Sequence, residues 1–251
     1  MLLLGGDIKK ANSRFADKGY VLQALQRSDI DALYEISNYF FKVSGIYSRL
    51  CRYMAYLYRY DWMVTPHIAE DKKEDVKVRE KVIKGFREVL TFLENFQIKK
   101  VFGEIALKVV RNGCYYGYLI RESGKAAQLQ ELPIKYCRTR YNVNEIPAIE
   151  FNMKYFDDAF RDPDYRLRIL KLFPAEFKKG YMLYKQGKLK PDYAGDINGW
   201  YLLELGSAVK FNIGDSDIPL MIAVIPALID LNNAQDLDRQ RMKQQLMKII
   251  I

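Results

Sequence analysis

The sequence predicts an α+β protein: a helical N-terminal region, a small antiparallel β-meander, then helices that lead into a long C-terminal helix. Three observations carry this. Apolar residues recur at steps of three and four through the first hundred positions, which is helical spacing. Between residues 114 and 156 the spacing changes to alternation, and β-formers cluster. Beyond Ile218 the chain reads as one long helical stretch.

With 251 residues the chain suits one large domain or two modest ones, and it is long enough to bury a core. An apolar fraction of 49% and an aromatic fraction of 14% exclude a disordered chain. The net charge of +9 favours anionic partners but does not identify one. The three cysteines, Cys51, Cys114 and Cys137, lack paired spacing and point to a reducing compartment. The opening "MLLL" is too short for a signal peptide, and no run of eighteen apolar residues occurs, so no transmembrane helix is expected. These features place the protein inside a cell, or in an assembly made there.

Four segments follow: a helical region over 1–100, a small β-rich domain over 101–160, a helix with short strands over 161–217, and the start of a long helix over 218–251. In the first, "SDIDALYEISNYFFKVSGIYSRLCRYMAYLYRYDWMV" opens with Ser28 or Asp29 as N-cap and Asp31 in the first turn. Its apolar face runs from Leu33 through Ile36, Tyr39, Phe40, Val43, Ile46, Tyr47, Leu50, Cys51, Met54 and Leu57 to Tyr58, with a break or bend expected at Gly45 and a stop at Pro66. The other side of "SRLCRYMAYLYRY" carries Arg49, Arg52, Tyr53, Tyr56, Arg59 and Tyr60, a composition that suits interfaces. From these we select Arg49, Arg52, Tyr56 and Arg59 as subunit-interface candidates. A second helix, "EDKKEDVKVREKVIKGFREVLTFLENFQ", carries a stripe of Val76, Val82, Ile83, Phe86, Val89, Leu90 and Leu93, and "IKKVFGEIALKVVRNG" predicts a third that ends at Gly113 as its C′ residue.

The meander is built from "CYYGYLIRES", a turn at "SGK", "AAQLQELP", "IKYCRTRYNV" and "IPAIEFNMKYF", the last with Ile149, Phe151, Met153 and Tyr155 on one face. Residues 161–192 read as helical and basic, with Lys178, Lys179, Lys185, Lys188 and Lys190 interleaved with Tyr181 and Tyr184; this is a solvated amphipathic face or a track for phosphates. "WYLLELGSAVKFNIGDSDIP" supplies one or two short strands. The final helix has a break expected at Pro226 and carries Arg239, Arg241, Lys243 and Lys248 as nucleic-acid candidates. Its apolar end "KIII" suggests a sequence cut short, or a tail that docks into a partner.

The residues for catalysis are missing. The sequence has no phosphate-binding G-x-x-x-x-G-K-[ST] loop and no G-x-S-x-G elbow. His67 is the only histidine and follows a proline, where a core or surface role fits it better than base or ligand. Asp157–Asp158 and Asp215–Asp217 sit in turn-like sequence. Neither catalysis nor a cofactor or metal is therefore expected.

Taken in order, "LYEISNYFFKVSGIYSRLCRYMAYL", the stretch from "NGCYYGYLI" to "FNMKYF", and "AVKFNIGDSDIPLMIAVIPALIDLNNAQDLDRQ" resemble portal proteins of tailed bacteriophages, particularly phages of Gram-positive hosts. The matching features are the Gly–aromatic strand Gly113–Tyr118, the turn Ser123–Gly124, the aromatic pair Tyr155–Phe156 closing a strand, and Ile218–Pro219 leading into the helix with Leu228 to Ala234. The resemblance spans about residues 28–240. It implies a wing-like helical and β region and a stem-like last helix. It also implies a homo-oligomeric ring, usually of twelve subunits, at one vertex of the capsid in the virion, assembled in the host cytoplasm. Double-stranded DNA would pass through this ring. The implied partners are a terminase motor, the major capsid protein and a head–tail adaptor, with no membrane. Two other readings stand beside it: a sequence-independent nucleic-acid-binding protein, and another phage structural component such as an adaptor or minor capsid protein.

Overall fold

The computed structural model describes residues 14–57, 63–66, 76–121, 127–191 and 198–249. The chain is α+β, with two small sheets and a long C-terminal helix among the described residues. Its elements fall into two compact units, each assembled from separated stretches: Met1–Tyr60, Phe102–Cys114 and Asn212–Ile251 form the first, Asp61–Val101 and Tyr115–Phe211 the second. Among the described residues no helix is long and apolar enough to cross a membrane.

The first unit is helical. It contains α1 (Lys18–Gln26), α2 (Ile30–Val43), α3 (Gly45–Tyr56), most of α5 (Ile98–Asn112) and α9 (Ile225–Ile249). Asp29, not Ser28, caps α2 through its carboxylate and the N–H of Ala32, 3.1 Å away. The helical face expected from residue 30 onward, with a break or bend at Gly45, is two helices. The break falls at Ser44 rather than on Gly45: Ser44 is extended, and its hydroxyl accepts from the N–H of Tyr47 and so starts α3. Val21, Leu33, Ile36, Phe40, Tyr47, Cys51, Ala55, Val110, Ile222 and Ile225 form one buried cluster. Inside it Ser37 shares a 2.9 Å hydrogen bond with the Tyr47 hydroxyl and donates to the carbonyl of Arg111, so the polar groups taken from water are paired. The core line of α3 is Tyr47–Cys51–Ala55, whereas Ile46 and Leu57 face solvent.

Gly113 ends α5 as expected, with φ +91° and its N–H donating to Val109 at 2.8 Å. A Cβ there would lie 1.9 Å from the carbonyl oxygen of Asp217, so only glycine lets these two backbones approach. Pro226 does not break the last helix. It occupies the first turn of α9, where its missing N–H costs nothing, after a 3₁₀ turn at Ile222–Val224.

The second unit holds α4 (Val76–Asn95), the sheets, and three helices: α6 (Tyr155–Ala159), α7 (Pro163–Leu172) and α8 (Ala175–Lys185). The expected single meander is two separate sheets. Strand β1 (Cys114–Ile120) pairs antiparallel with β2 (Gln128–Leu132), Tyr118 opposite Gln130. Strand β3 (Cys137–Val143) pairs antiparallel with β4 (Ile146–Asn152), Cys137 opposite Phe151. The β3–β4 turn places Asn144 and Glu145 at positive φ, as a two-residue hairpin requires. Each hairpin then takes a third strand from far downstream: β6 (Ala208–Asn212) beside β1, and β5 (Trp200–Leu202) beside β4. A local turn signal reveals a hairpin, but not this distant partner. The expected turn at Ser123–Gly124 lies outside the described residues.

Tyr155 and Phe156 open α6 instead of closing a strand. Phe151, Phe156, Phe173, Phe177 and Tyr181 pack edge to face, with centroids 5.0–6.1 Å apart. Helix α8 approaches this core closely through Gly180, where a Cβ would sit 2.3 Å from Met153 Cε. Helix α4 forms as expected, but none of its residues is buried, and Val76, Ile83 and Val89 of the expected stripe are exposed.

Candidate functional site

The interface candidates on α3 separate by environment. Arg49, Arg52 and Tyr56 are exposed, and Tyr53 beside them is 64% exposed. Arg52 is also tied to its own unit: its guanidinium lies 5.5 Å from the Phe41 ring centre and its Nε donates to Ser48 Oγ at 3.4 Å. Arg111 covers the same ring at 5.1 Å. Arg49 is the simpler surface group. Arg59 and Tyr60 lie outside the described residues, as does His67. On the inner side of α3, burial raises the Cys51 thiol to about 11, against the opposing effects of the Tyr47 hydrogen bond and the Arg111 charge. A thiol held protonated in this way is a packing group rather than a nucleophile.

The nucleic-acid candidates Arg239, Arg241 and Lys243 are exposed on α9; the Lys248 side chain lies outside the described residues. Arg239 makes one loose contact, 3.8 Å to Asp236 one turn earlier. Only the first turns of α9 are seated, through Ile225, Leu228 and Ile229. From Asp230 to Gln245 its side chains are exposed or, at Asn232 and Asp236, half-buried.

The basic segment 161–192 divides as well. Lys179, Lys188 and Lys190 are exposed, but Tyr181 is buried and cannot stack on a base. Its hydroxyl donates to Asp157 Oδ1 at 2.8 Å, beside Arg166 at 2.8 Å from the same oxygen and Lys185 Nζ at 2.7 Å from Oδ2. Asp157 thus sits on α6 and joins it to α7 and α8, instead of marking a turn. Burial alone pushes the Asp157 carboxyl up. The hydrogen bonds of Lys185 and Tyr181 and the charges of Lys185 and Arg166 outweigh this and hold it below the usual carboxylate range.

One cleft escaped the sequence reading. It encloses about 440 Å³ and is lined by Tyr118, Ile120, Arg121, Pro174, Glu204 and Ser207. At its edge Glu176 accepts from the Tyr118 hydroxyl and from the Glu204 N–H, both at 2.7 Å. Burial and the hydrogen bond to Glu176 raise the Tyr118 pKa, so its phenol stays protonated and donating. These groups satisfy one another across β1, α8 and the loop before β6. No motif spacing announces them, because they come together only when 118, 176 and 204 converge. Among the described residues no group of three or more His, Cys, Asp or Glu is placed to hold a metal ion.

The arrangement therefore offers surfaces: an Arg/Tyr side on α3, a charged exposed length on α9, and scattered lysines on and after α8. Comparisons with protein-family models, with curated proteins and with solved structures found no match.

Proposed function

We propose that this chain is a subunit of a portal-type ring, a structural component at one vertex of a tailed-phage capsid through which double-stranded DNA is packaged and ejected. One observation carries the reading. Helix α9 is anchored by its first turns and then, from Asp230 to Gln245, runs on for about 24 Å of largely exposed helix. Most of a helix's stability in a protein comes from packing a face, so a length like this calls for neighbours. A ring supplies them by placing the α9 of each copy among the others as a stem. The order of elements along the chain and the exposed Arg/Tyr side of α3 support the same reading.

The proposed partners are further copies of the chain, usually twelve in the resembled family, the passing DNA, a terminase motor, the major capsid protein and a head–tail adaptor. The chain has no bond-making role in this reading. A conduit holds DNA weakly and at many points, through phosphates rather than base edges. Negative-stain images of the purified protein should show rings with a central hole; particles without one would contradict the proposal.

A second reading is favoured by the exposed Lys179, Lys188 and Lys190. In it the chain binds nucleic acid without sequence preference, as a monomer or dimer. That reading predicts tight DNA binding by the unassembled chain with a steep salt dependence. The portal reading predicts weak binding by the unassembled chain.

A further inference from the structure

Helices α3 and α9 belong to the same compact unit, α3 packing on α2 and α9 on α1. Each turns one side away from that unit's core. On α3 this side carries Ile46, Arg49 and Tyr53 at steps of three and four, with Ile46 56% and Tyr53 64% exposed, and ends at Tyr56, whose half-exposed ring also lies against Gly103 of α5. The helix holds two arginines and no acidic residue. On α9 the side opposite Ile225, Leu228 and Ile229 carries Ala227, Leu231, Ala234 and Asp238, all exposed, with Arg241 one turn further on. Of the aspartates in 230–238, Asp230 is held by Lys18 Nζ at 2.6 Å and Asp236 is half-buried 3.8 Å from Arg239, so Asp238 is the carboxylate that this side offers.

We propose that these two sides meet between neighbouring copies, α3 of one chain lying along residues 227–238 of α9 in the next. The two stretches match in length, each about 18 Å of helix. They also match in chemistry. Ala227 and Ala234 leave room for the tyrosine rings, Leu231 and Ile46 supply apolar area, and Arg49 meets Asp238. Both rows follow the steps of three and four that let the ridges of one helix enter the grooves of another. A nucleic-acid occupant fits this stretch of α9 less well than a second copy, because Asp238 repels phosphate and Leu231 gains nothing there.

The contact rests on the ring reading and deepens it. The two sides are different surfaces of one unit, so the contact is head to tail: each copy offers α3 to one neighbour and α9 to the other. Such a contact repeats until it closes into a ring or grows as a filament.

Charge reversal in the full chain tests the contact. Arg49→Glu and Asp238→Lys would be made separately and together, with circular dichroism and thermal melting to show that each variant folds. Native mass by light scattering is then followed against concentration. Each single variant should raise the concentration needed for half-assembly at least about tenfold, because a like-charge pair now sits in the contact. An equimolar mixture of the two single variants, and the double variant, should recover assembly. If both single variants form rings at the wild-type concentration, the α3–α9 contact is wrong and the ring reading stands. If the wild type itself stays monomeric, or stops at a two-fold dimer, the ring reading fails and the contact fails with it.

Discussion

The two compact units solve the problem of burying apolar surface differently. The first packs helices through aliphatic side chains and a few rings, with Leu33, Ile36, Phe40 and Tyr47 fully buried. The second packs helices on sheets around an edge-to-face cluster of Phe151, Phe156, Phe173, Phe177 and Tyr181. Arg166 beside that cluster is drawn inward as well, since Asp157 holds it together with the more exposed Lys185. The first unit leaves its Arg/Tyr side on α3 and most of α9 outside. The same residue types that serve as core in one unit are surface in the other, so composition alone does not tell an interface from an interior.

Mutations should separate the units in order of effect. The largest is expected at Gly113→Val in the helical unit. It adds a side chain at φ +91° and drives Cβ into the carbonyl of Asp217, so the loss should exceed roughly 3 kcal/mol or abolish folding. Soluble yield and urea unfolding would measure it; a near-neutral result would mean that the α5–Asp217 approach is not as described.

Next comes Phe151→Ala in the aromatic cluster, expected to cost about 3–5 kcal/mol against about 1 kcal/mol for Ile36→Val in the first unit. If the two units unfold as separate steps, each change should move only its own step in a calorimetric scan. A single step moved equally by both would show that the units unfold together.

Asp157→Asn should be milder, about 1–3 kcal/mol near neutral pH, because Arg166 and Lys185 lose their anion. The sign with pH is definite. The folded-state pKa of Asp157 is depressed, so its contribution is present above the unfolded carboxyl value of about 4 and is lost as pH falls through the lower folded value. The stability gap between wild type and variant should therefore close on acidification below about pH 4. A gap that persists at low pH would assign the effect to packing.

The smallest effect on folding is expected at Tyr53→Ala on the exposed side of α3, within about 0.5 kcal/mol. A loss as large as that of Asp157→Asn would place Tyr53 in the unit's own packing and remove α3 as an open surface.

Much of the first unit is legible in the sequence because helical periodicity is local. Leu33, Ile36 and Phe40 declare a face by spacing alone, and Gly113 declares a helix end. Ser44 could have been found as a cap, since its hydroxyl sits three residues before the Tyr47 N–H it accepts from. In the second unit the helices are legible by the same local signal, but the sheets are legible only as hairpins. Nothing near β4 names β5 as its neighbour, and nothing near β1 names β6. Tyr181 reads as an exposed aromatic among lysines until Asp157, twenty-four positions away, is seen to hold its hydroxyl. The α3 candidates Arg49, Arg52 and Tyr56 are on the surface as their spacing requires, yet the cation–π contact of Arg52 with Phe41 depends on the bend at Ser44 that brings α2 and α3 together.

The native mass of the purified full chain, measured by size exclusion with light scattering over a range of concentrations, tests the central claim most directly. The account predicts a single large species near twelve times the 29.4 kDa chain. A chain that remains monomeric or dimeric at every concentration would contradict it.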